Sequence, residues 1–300
     1  MFIVKYRNIF FALTGVILLV AMLSAAVFGL PLGADFTGGV LAEVRYEGAR
    51  ADARAVEQAL AERGVTGFSL REAGDNGYIL RAGNLAPEMR TTLPDMFSLN
   101  GVHNATIVKL TEVGPTVGVE LRNKAGVALA LVLVAILFFI AFAFRKVSQP
   151  VSSWVYGFIA LITLCFDVLV PVGFFAFLGS ITGAQVDVLF VTAVLTVLGY
   201  SVHDTIVVFD RTRENLRLNK EDNRKEDFSD TAGRALNQTL VRSVNTSLTT
   251  ATVLLALFFF GPESTQDFAL TLLVGIIAGT YSSICLATPL LVAWERYRAK

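Results

Sequence analysis

The sequence predicts an α-helical polytopic membrane protein with six transmembrane helices and an α+β, ferredoxin-like domain outside the membrane between the first two. Three observations predict this fold. The 300 residues are 54% hydrophobic and only 17% charged, a balance that soluble domains rarely reach. The apolar residues fall in blocks: 9–34, 125–144, 147–166, 243–262 and 268–294 contain no Asp, Glu, Lys or Arg, and each meets the ~20 residues a helix needs to cross a bilayer core. A sixth block, 188–209, is interrupted by His203 and Asp204. Backbone polar groups find no partner in lipid, so spans of this length must be helices. Third, the segment 32–123 between the first two blocks is mixed in polarity and punctuated by turns.

The first block follows Lys5 and Arg7. It is much longer than the ~7–15 apolar residues of a signal-peptide core, so it is expected to remain as an anchor. In the outer segment, Val40, Ala42, Val44 and Tyr46 alternate with Glu43 and Arg45, the pattern of a half-buried strand. Residues 51–63 predict a helix, with Asp52 near its start and Gly64 as its stop. Two strands, 68–72 and 78–81, flank a turn for which Asn76-Gly77 is the hairpin signal. Pro87 can begin a second helix, which Pro94 is expected to break or shift. A strand at 107–113 closes the domain. The order β-α-β-β-α-β is the split βαβ pattern. The chain therefore divides into a cytoplasmic N-terminus and helix 1 (1–31), the outer domain (32–123), and helices 2 to 6 with a cytoplasmic loop and C-terminus (124–300).

Basic residues set the orientation. Lys5/Arg7, Arg145/Lys146, the stretch between Arg211 and Arg242, and Arg296/Arg298/Lys300 alternate with segments 178–186 and 261–267, which hold no Lys or Arg. The positive-inside rule then puts both termini in the cytoplasm. The loop 210–240 reads as a solvated amphipathic connector.

Ionisable residues inside spans are costly and mark function. Asp204 lies five residues from the inner end of the fourth block, roughly 8 Å of helix depth at ~1.5 Å per residue. Arg242 starts the antiparallel fifth span and is expected to pair with it; a structural buried pair is the competing reading. His203 points about 100° away from Asp204 on the helix and serves packing or proton relay. Arg242, Thr246, Thr249 and Thr250 share one helix face, which suits a hydrated path or a hydrogen-bonded seam. Asp167, before Pro171, is a second candidate. Gly275, Gly279 and Ser283 recur every four residues on the sixth helix, the spacing that lets helix backbones approach. Cys165 and Cys285 both lie in apolar stretches and suggest no disulfide framework. Lys+Arg and Asp+Glu both number 25, so no nucleic-acid partner is expected. The sequence carries no nucleotide-binding glycine loop, metal-ligand cluster or nucleophile elbow, and enzyme activity is not expected.

Several stretches match a family: GADFTGG at 33–39, GPTVG at 114–118, GYSVHDTIVVFDRTRE at 199–214, LNQTLVRSVNTSLTT at 236–250 and FALTLLVGIIAGTYSS at 268–283. On these motifs the chain resembles the SecD/SecF family of protein-export membrane proteins, within the RND superfamily. The resemblance implies half of a twelve-helix RND-type transporter, completed by a SecD-like subunit. It also implies a role in the inner membrane beside the SecYEG translocon, with YajC and YidC as further partners. There, proton flow would aid late export of unfolded polypeptides, with protons as coupling ion, no other cofactor, and lipids as surroundings. By motif position Asp204 and Arg242 match the family's proton-pathway pair. Asp35, Gly38, Gly39, Asp210 and Arg211 match motif positions. His203 stands where the family usually has Asn, Phe166 where a His commonly precedes the aspartate, and Ser243 where Thr is usual. The expected cycle protonates Asp204, loosens its pair with Arg242 and repacks helices to swing the outer domain. An RND-like exporter of lipids or small molecules, or a translocon scaffold without proton transport, are the alternatives.

Overall fold

The structure, a computed structural model, describes residues 2–65, 67–83, 85, 87–145 and 151–298. Lys146 and Lys300, used in the orientation argument, lie outside them. In chain order the elements are α1 (Arg7–Phe28), β1 (Gly39–Tyr46), α2 (Ala53–Glu62), β2 (Ser69–Ala73), β3 (Gly77–Ala82), α3 (Pro87–Phe97), β4 (Ala105–Val113), α4 (Pro115–Ala143), α5 (Ser153–Thr182), α6 (Val188–Glu221), α7 (Phe228–Phe260) and α8 (Gln266–Arg298). The chain forms two compact units: Met1–Gly29 with Ala128–Phe177 and Phe190–Lys300, and Leu30–Val127 with Leu178–Leu189.

The second unit holds one antiparallel sheet in the order β2-β3-β1-β4. With α2 and α3 as the connections, this is the ferredoxin-like topology the strand order predicted. The inward residues of β1 (Val40, Ala42, Val44, Tyr46) and β3 (Tyr78, Leu80) pack on Val56 and Leu60 of α2 and on Leu93, Met96 and Phe97 of α3. Asp52 precedes α2 with extended backbone, and Gly64 ends it at φ +82°. The hairpin turn is centred on residues 74–76, so Gly77 is already a strand residue opposite Ala73. Contrary to expectation, Pro94 neither breaks nor shifts the second helix, which runs through it to Phe97. The burial of Leu93, Met96 and Phe97 holds that turn together despite the missing N–H.

The six helices α1, α4, α5, α6, α7 and α8 are long and apolar enough to cross a membrane. Where α1 meets α5, the Gly173 backbone sits against that of Ala21, and the Ser24 hydroxyl donates to the Gly173 carbonyl at 2.7 Å. Within α8, Ser283–Ala287 widens into one π-helical turn. Pro289 accounts for it: its ring would clash with the carbonyl of Cys285, and the wider turn relieves that clash.

The stretch expected as a solvated connector is helical except at 222–227, because α6 and α7 both extend beyond their apolar blocks. Asp227 caps α7, accepting from the Phe228 N–H at 2.9 Å. Buried residues on both extensions explain the order: Thr212, Asn215 and Asn219 on α6, and Phe228, Ala232, Ala235 and Leu236 on α7.

Candidate functional site

The buried face of α6 runs Val194, Val197, Leu198, Ser201, Asp204, Thr205, Val208. Its upper part is apolar, and its middle turns polar at Ser201 and Asp204. Two glycines of α8 let that helix come close here. A Cβ on Gly275 would collide with Val197, and one on Gly279 would lie 2.8 Å from the Ser201 Cβ. The four-residue spacing read from sequence is thus a close backbone contact, against α6.

Asp167 of α5 is 0% exposed and accepts a hydrogen bond from the Ser201 hydroxyl through Oδ2, while its Oδ1 has no partner among the described residues. Its own carbonyl is also spared by the helix ladder, because Pro171, four residues on, has no N–H. Asp204 is 5% exposed. Its Oδ2, the adjacent Thr205 Oγ1 and Ser243 Oγ of α7 are all buried without hydrogen-bond partners among the described residues. Ser243 lies beside the Asp204 carboxylate, although among the described residues its Oγ forms no hydrogen bond.

The expected Asp204–Arg242 pair is not formed: among the described residues neither makes an ion pair. The helix period explains why. Ser243, Ser247 and Leu254 take the packed face of α7, which leaves Arg242, Thr246 and Thr249 on the exposed face and Thr250 at its edge. Thr246, Thr249 and Thr250 each donate back to the carbonyl four residues earlier, at 2.8–3.0 Å. His203 is exposed, turned away from Asp204 as the helix period predicted.

A hydroxyl chain absent from the sequence reading joins three helices. With the Thr250 proton on the Thr246 carbonyl, the Tyr200 hydroxyl lies 3.4 Å from Thr250 Oγ1 and 3.5 Å from Ser247 Oγ, and Thr280 Oγ1 lies 2.5 Å from the same Ser247 oxygen. Ser201 was also missed. Its signal was its place three residues before Asp204, and for Ser243 and Ser247 it was their own four-residue repeat.

The remaining motif residues hold backbone in place. The Asp35 carboxylate accepts from the Val188 N–H at 3.0 Å, at the start of α6. Gly38 and Gly39 have φ +80° and +146°. A Cβ on Gly38 would lie 2.6 Å from the Pro115 Cα, and one on Gly39 would lie 2.5 Å from the Ala82 carbonyl oxygen. Only glycine satisfies both demands. On the extended helices, Arg211 donates to Gln238 (2.8 Å) and pairs with Glu214 (2.5 Å), while Asp210 lies 3.8 Å from Arg213. Nearby, Glu226 accepts from Asn219 (2.7 Å), Thr231 (3.1 Å) and Arg234 (2.6 Å). Partial burial pushes the Glu226 carboxyl up, but these donors and the Arg234 charge outweigh it and hold it below the usual range.

The description "Protein export membrane protein SecD/SecF, C-terminal" matches residues 95–297, and "SecD/SecF GG Motif" matches 23–49. The chain is 44% identical over 304 residues to a protein translocase subunit SecF of Thermobaculum terrenum, covering 98% of this chain and 93% of that one. It is 38% identical to that of Anaerolinea thermophila, covering 96% and 92%. The crystal structure of SecDF, a translocon-associated membrane protein from Thermus thermophilus, superposes with a TM-score of 0.83 at 32% identity. That superposition covers 97% of this chain but only 38% of the SecDF chain.

Proposed function

We propose, for a chain that belongs to the SecD/SecF family of protein-export membrane proteins, that Asp204 is the acid through which it draws on the proton-motive force to assist protein export. The chain acts as the SecF-type subunit of the Sec protein translocase. Protons are the coupling ion. The membrane is the cytoplasmic one, with both termini inside.

The observation that carries this reading is the buried Asp204 carboxylate. It lies within a span, has an oxygen without a hydrogen-bond partner among the described residues, and lies beside a Ser243 hydroxyl that is likewise unsatisfied among them. Leaving such a group ionised and unpaired in a low-dielectric interior is costly, and taking up a proton removes most of that cost. The α6–α7 contact is the two-state element. With Asp204 neutral, α7 presents Ser243 to it. Arg242 sits one residue, about 100°, around the helix and approaches the ionised carboxylate only after α7 or its own side chain reorients. A proton crossing 100 mV releases about 2.3 kcal/mol, enough to bias such an equilibrium. Asp167 of α5, held by Ser201, serves as a second polar centre against the same face of α6.

A SecD-like subunit is the partner. The exposed stripe of Arg242, Thr246 and Thr249 supports this, because an arginine facing lipid within a span costs about 2.5–3.5 kcal/mol. The single-chain SecDF relative, of which this chain matches 37%, carries further sequence that such a partner would supply. SecYEG, YajC and YidC are further partners, and unfolded secretory polypeptides are the cargo.

Export into inverted vesicles with and without a proton gradient tests the reading. Asp204→Asn is expected to abolish the gradient-dependent fraction of export while the variant still co-purifies with its partner. Full gradient stimulation in that variant leaves only a scaffold role.

A further inference from the structure

A cavity of about 440 Å³ opens among the segment leading into α1 and its first turn, the start of α7 and the last turns of α8. It lies within the roughly 300–1,000 Å³ of small-ligand sites. Lys5, Arg7, Asn8, Ser229, Asp230 and Arg296 supply its polar lining. Three cations therefore meet one carboxylate, and among the described residues none of the four is in an ion pair. Arg296 donates to the buried Ser229 hydroxyl at 3.3 Å, and Lys5 lies 5.8 Å from the Tyr6 ring centre. Asp230 offsets only one of the three positive charges, and an anion among them relieves the repulsion that remains.

The surroundings identify the anion. Phe2, Tyr6 and Ile9 beside the opening are exposed and apolar or amphipathic, and Trp294 and Tyr297 of α8 are exposed near Arg296. Exposed Trp and Tyr at the end of a span mark the level of lipid headgroups. A basic pocket between spans at the cytoplasmic surface is suited to an anionic headgroup.

We infer that this cavity binds an anionic glycerophospholipid of the cytoplasmic leaflet. Its phosphate lies among Lys5, Arg7 and Arg296, a headgroup hydroxyl donates to Asp230, and its acyl chains follow the exposed apolar surface of α1. The leaflet assignment rests on the orientation proposed above; the binding chemistry does not.

The test is native mass spectrometry of the full chain in detergent, titrated with phosphatidylglycerol or phosphatidylcholine. The wild type is expected to retain phosphatidylglycerol at least about fivefold better, and Lys5→Gln and Arg296→Gln to weaken it about fivefold each, as loss of one cation near a charged surface implies. Among the described residues the Lys5 side chain makes no hydrogen bond, so Lys5→Gln reads chiefly the loss of its charge. Equal retention of the two lipids, or no loss in either variant, overturns the proposal. So does displacement of the lipid by millimolar inorganic phosphate, which would make the site one for free phosphate. Labelling Asn223→Cys with a membrane-impermeant maleimide from each side of the vesicle tests orientation separately. Labelling only from the extracytoplasmic face, the lumen of an inverted vesicle, would refute the leaflet assignment while leaving the detergent titration to judge the pocket.

Discussion

The two units of this chain are built by opposite rules. The unit that holds the sheet hides Val40, Leu60, Leu80 and Phe97 and shows its charges to water. The unit with the long helices shows Leu131, Phe139, Leu248 and Phe260, and hides Asp167, Ser201, Asp204, Thr205 and Ser243. Water drives the first arrangement, because each apolar side chain gains by leaving it. Lipid gives apolar side chains no such preference, so polar groups move inward and association depends on close packing and hydrogen bonds. A buried polar group is therefore a defect in one unit and a working part in the other.

The largest expected effect comes from exchanging the two rules. Leu80, 0% exposed on the inner strand β3, cannot accept a carboxylate without several kcal/mol of desolvation. Leu80→Asp is expected to unfold the sheet unit, seen as rapid proteolysis between residues 39 and 113 with the membrane helices intact. Asp204→Leu is expected to do the reverse. Leucine fills the site and removes a buried carboxylate oxygen that lacks a partner among the described residues, a group costly to desolvate, so melting in detergent should stay level or rise while gradient-driven export is lost. A drop in melting temperature would mean that Asp204 is there to hold the fold.

A smaller contrast uses truncation alone. Leu60 is fully buried under the sheet, and Leu60→Ala should cost about 2–5 kcal/mol, read as a lower melting transition of the sheet unit. Phe260 is 90% exposed at the end of α7, and Phe260→Ala should change stability in detergent by no more than about 0.5 kcal/mol. A large loss there would mark the end of α7 as a contact surface within the chain.

The same contrast decides what was legible in the sequence. Membrane spans depend on block hydropathy, which one strand of text displays, and the sheet depends on period-two alternation, which is equally visible in β1. The motif glycines and Asp204 were also visible, since a charge in an apolar run is conspicuous. Which helix faces which was not. Nothing in the text said that Ser201 would meet Asp167, that α8 would approach α6 through Gly275 and Gly279, or that Ser243 rather than Arg242 would take the packed face of α7. On a lipid-facing helix the apolar residues lie all round, so the period that betrays a buried face in water carries little information. The Pro94 expectation failed for a related reason: a local rule yielded to the burial of Leu93, Met96 and Phe97 around it.

The smallest effect probes the few polar groups that the sheet unit does bury. The Tyr46 and Tyr78 hydroxyls lie inside its core and donate to the carbonyls of Phe97 (2.9 Å) and Ala51 (2.6 Å). Burial pushes both phenols above their ordinary value; for Tyr78 the Arg50 charge opposes this only in part, and for Tyr46 the neighbouring Tyr78 adds to it. A folded-state value above the unfolded one means that the neutral form is favoured by folding. The contribution is therefore complete below about pH 10, the unfolded value, and is lost as pH rises through the folded values. Near-UV circular dichroism of the full chain should show the sheet unit melting at similar temperatures at pH 7 and 9 and lower at pH 11. Tyr78→Phe should cost about 1 kcal/mol at pH 7, since it leaves the Ala51 carbonyl without its donor, and should reduce the alkaline drop. An unchanged drop in that variant would assign the alkaline loss to Tyr46 or to groups outside this core. Here a polar atom is tolerated inside because one fixed donor–acceptor pair satisfies it, and that pairing is what the Asp204 carboxylate lacks.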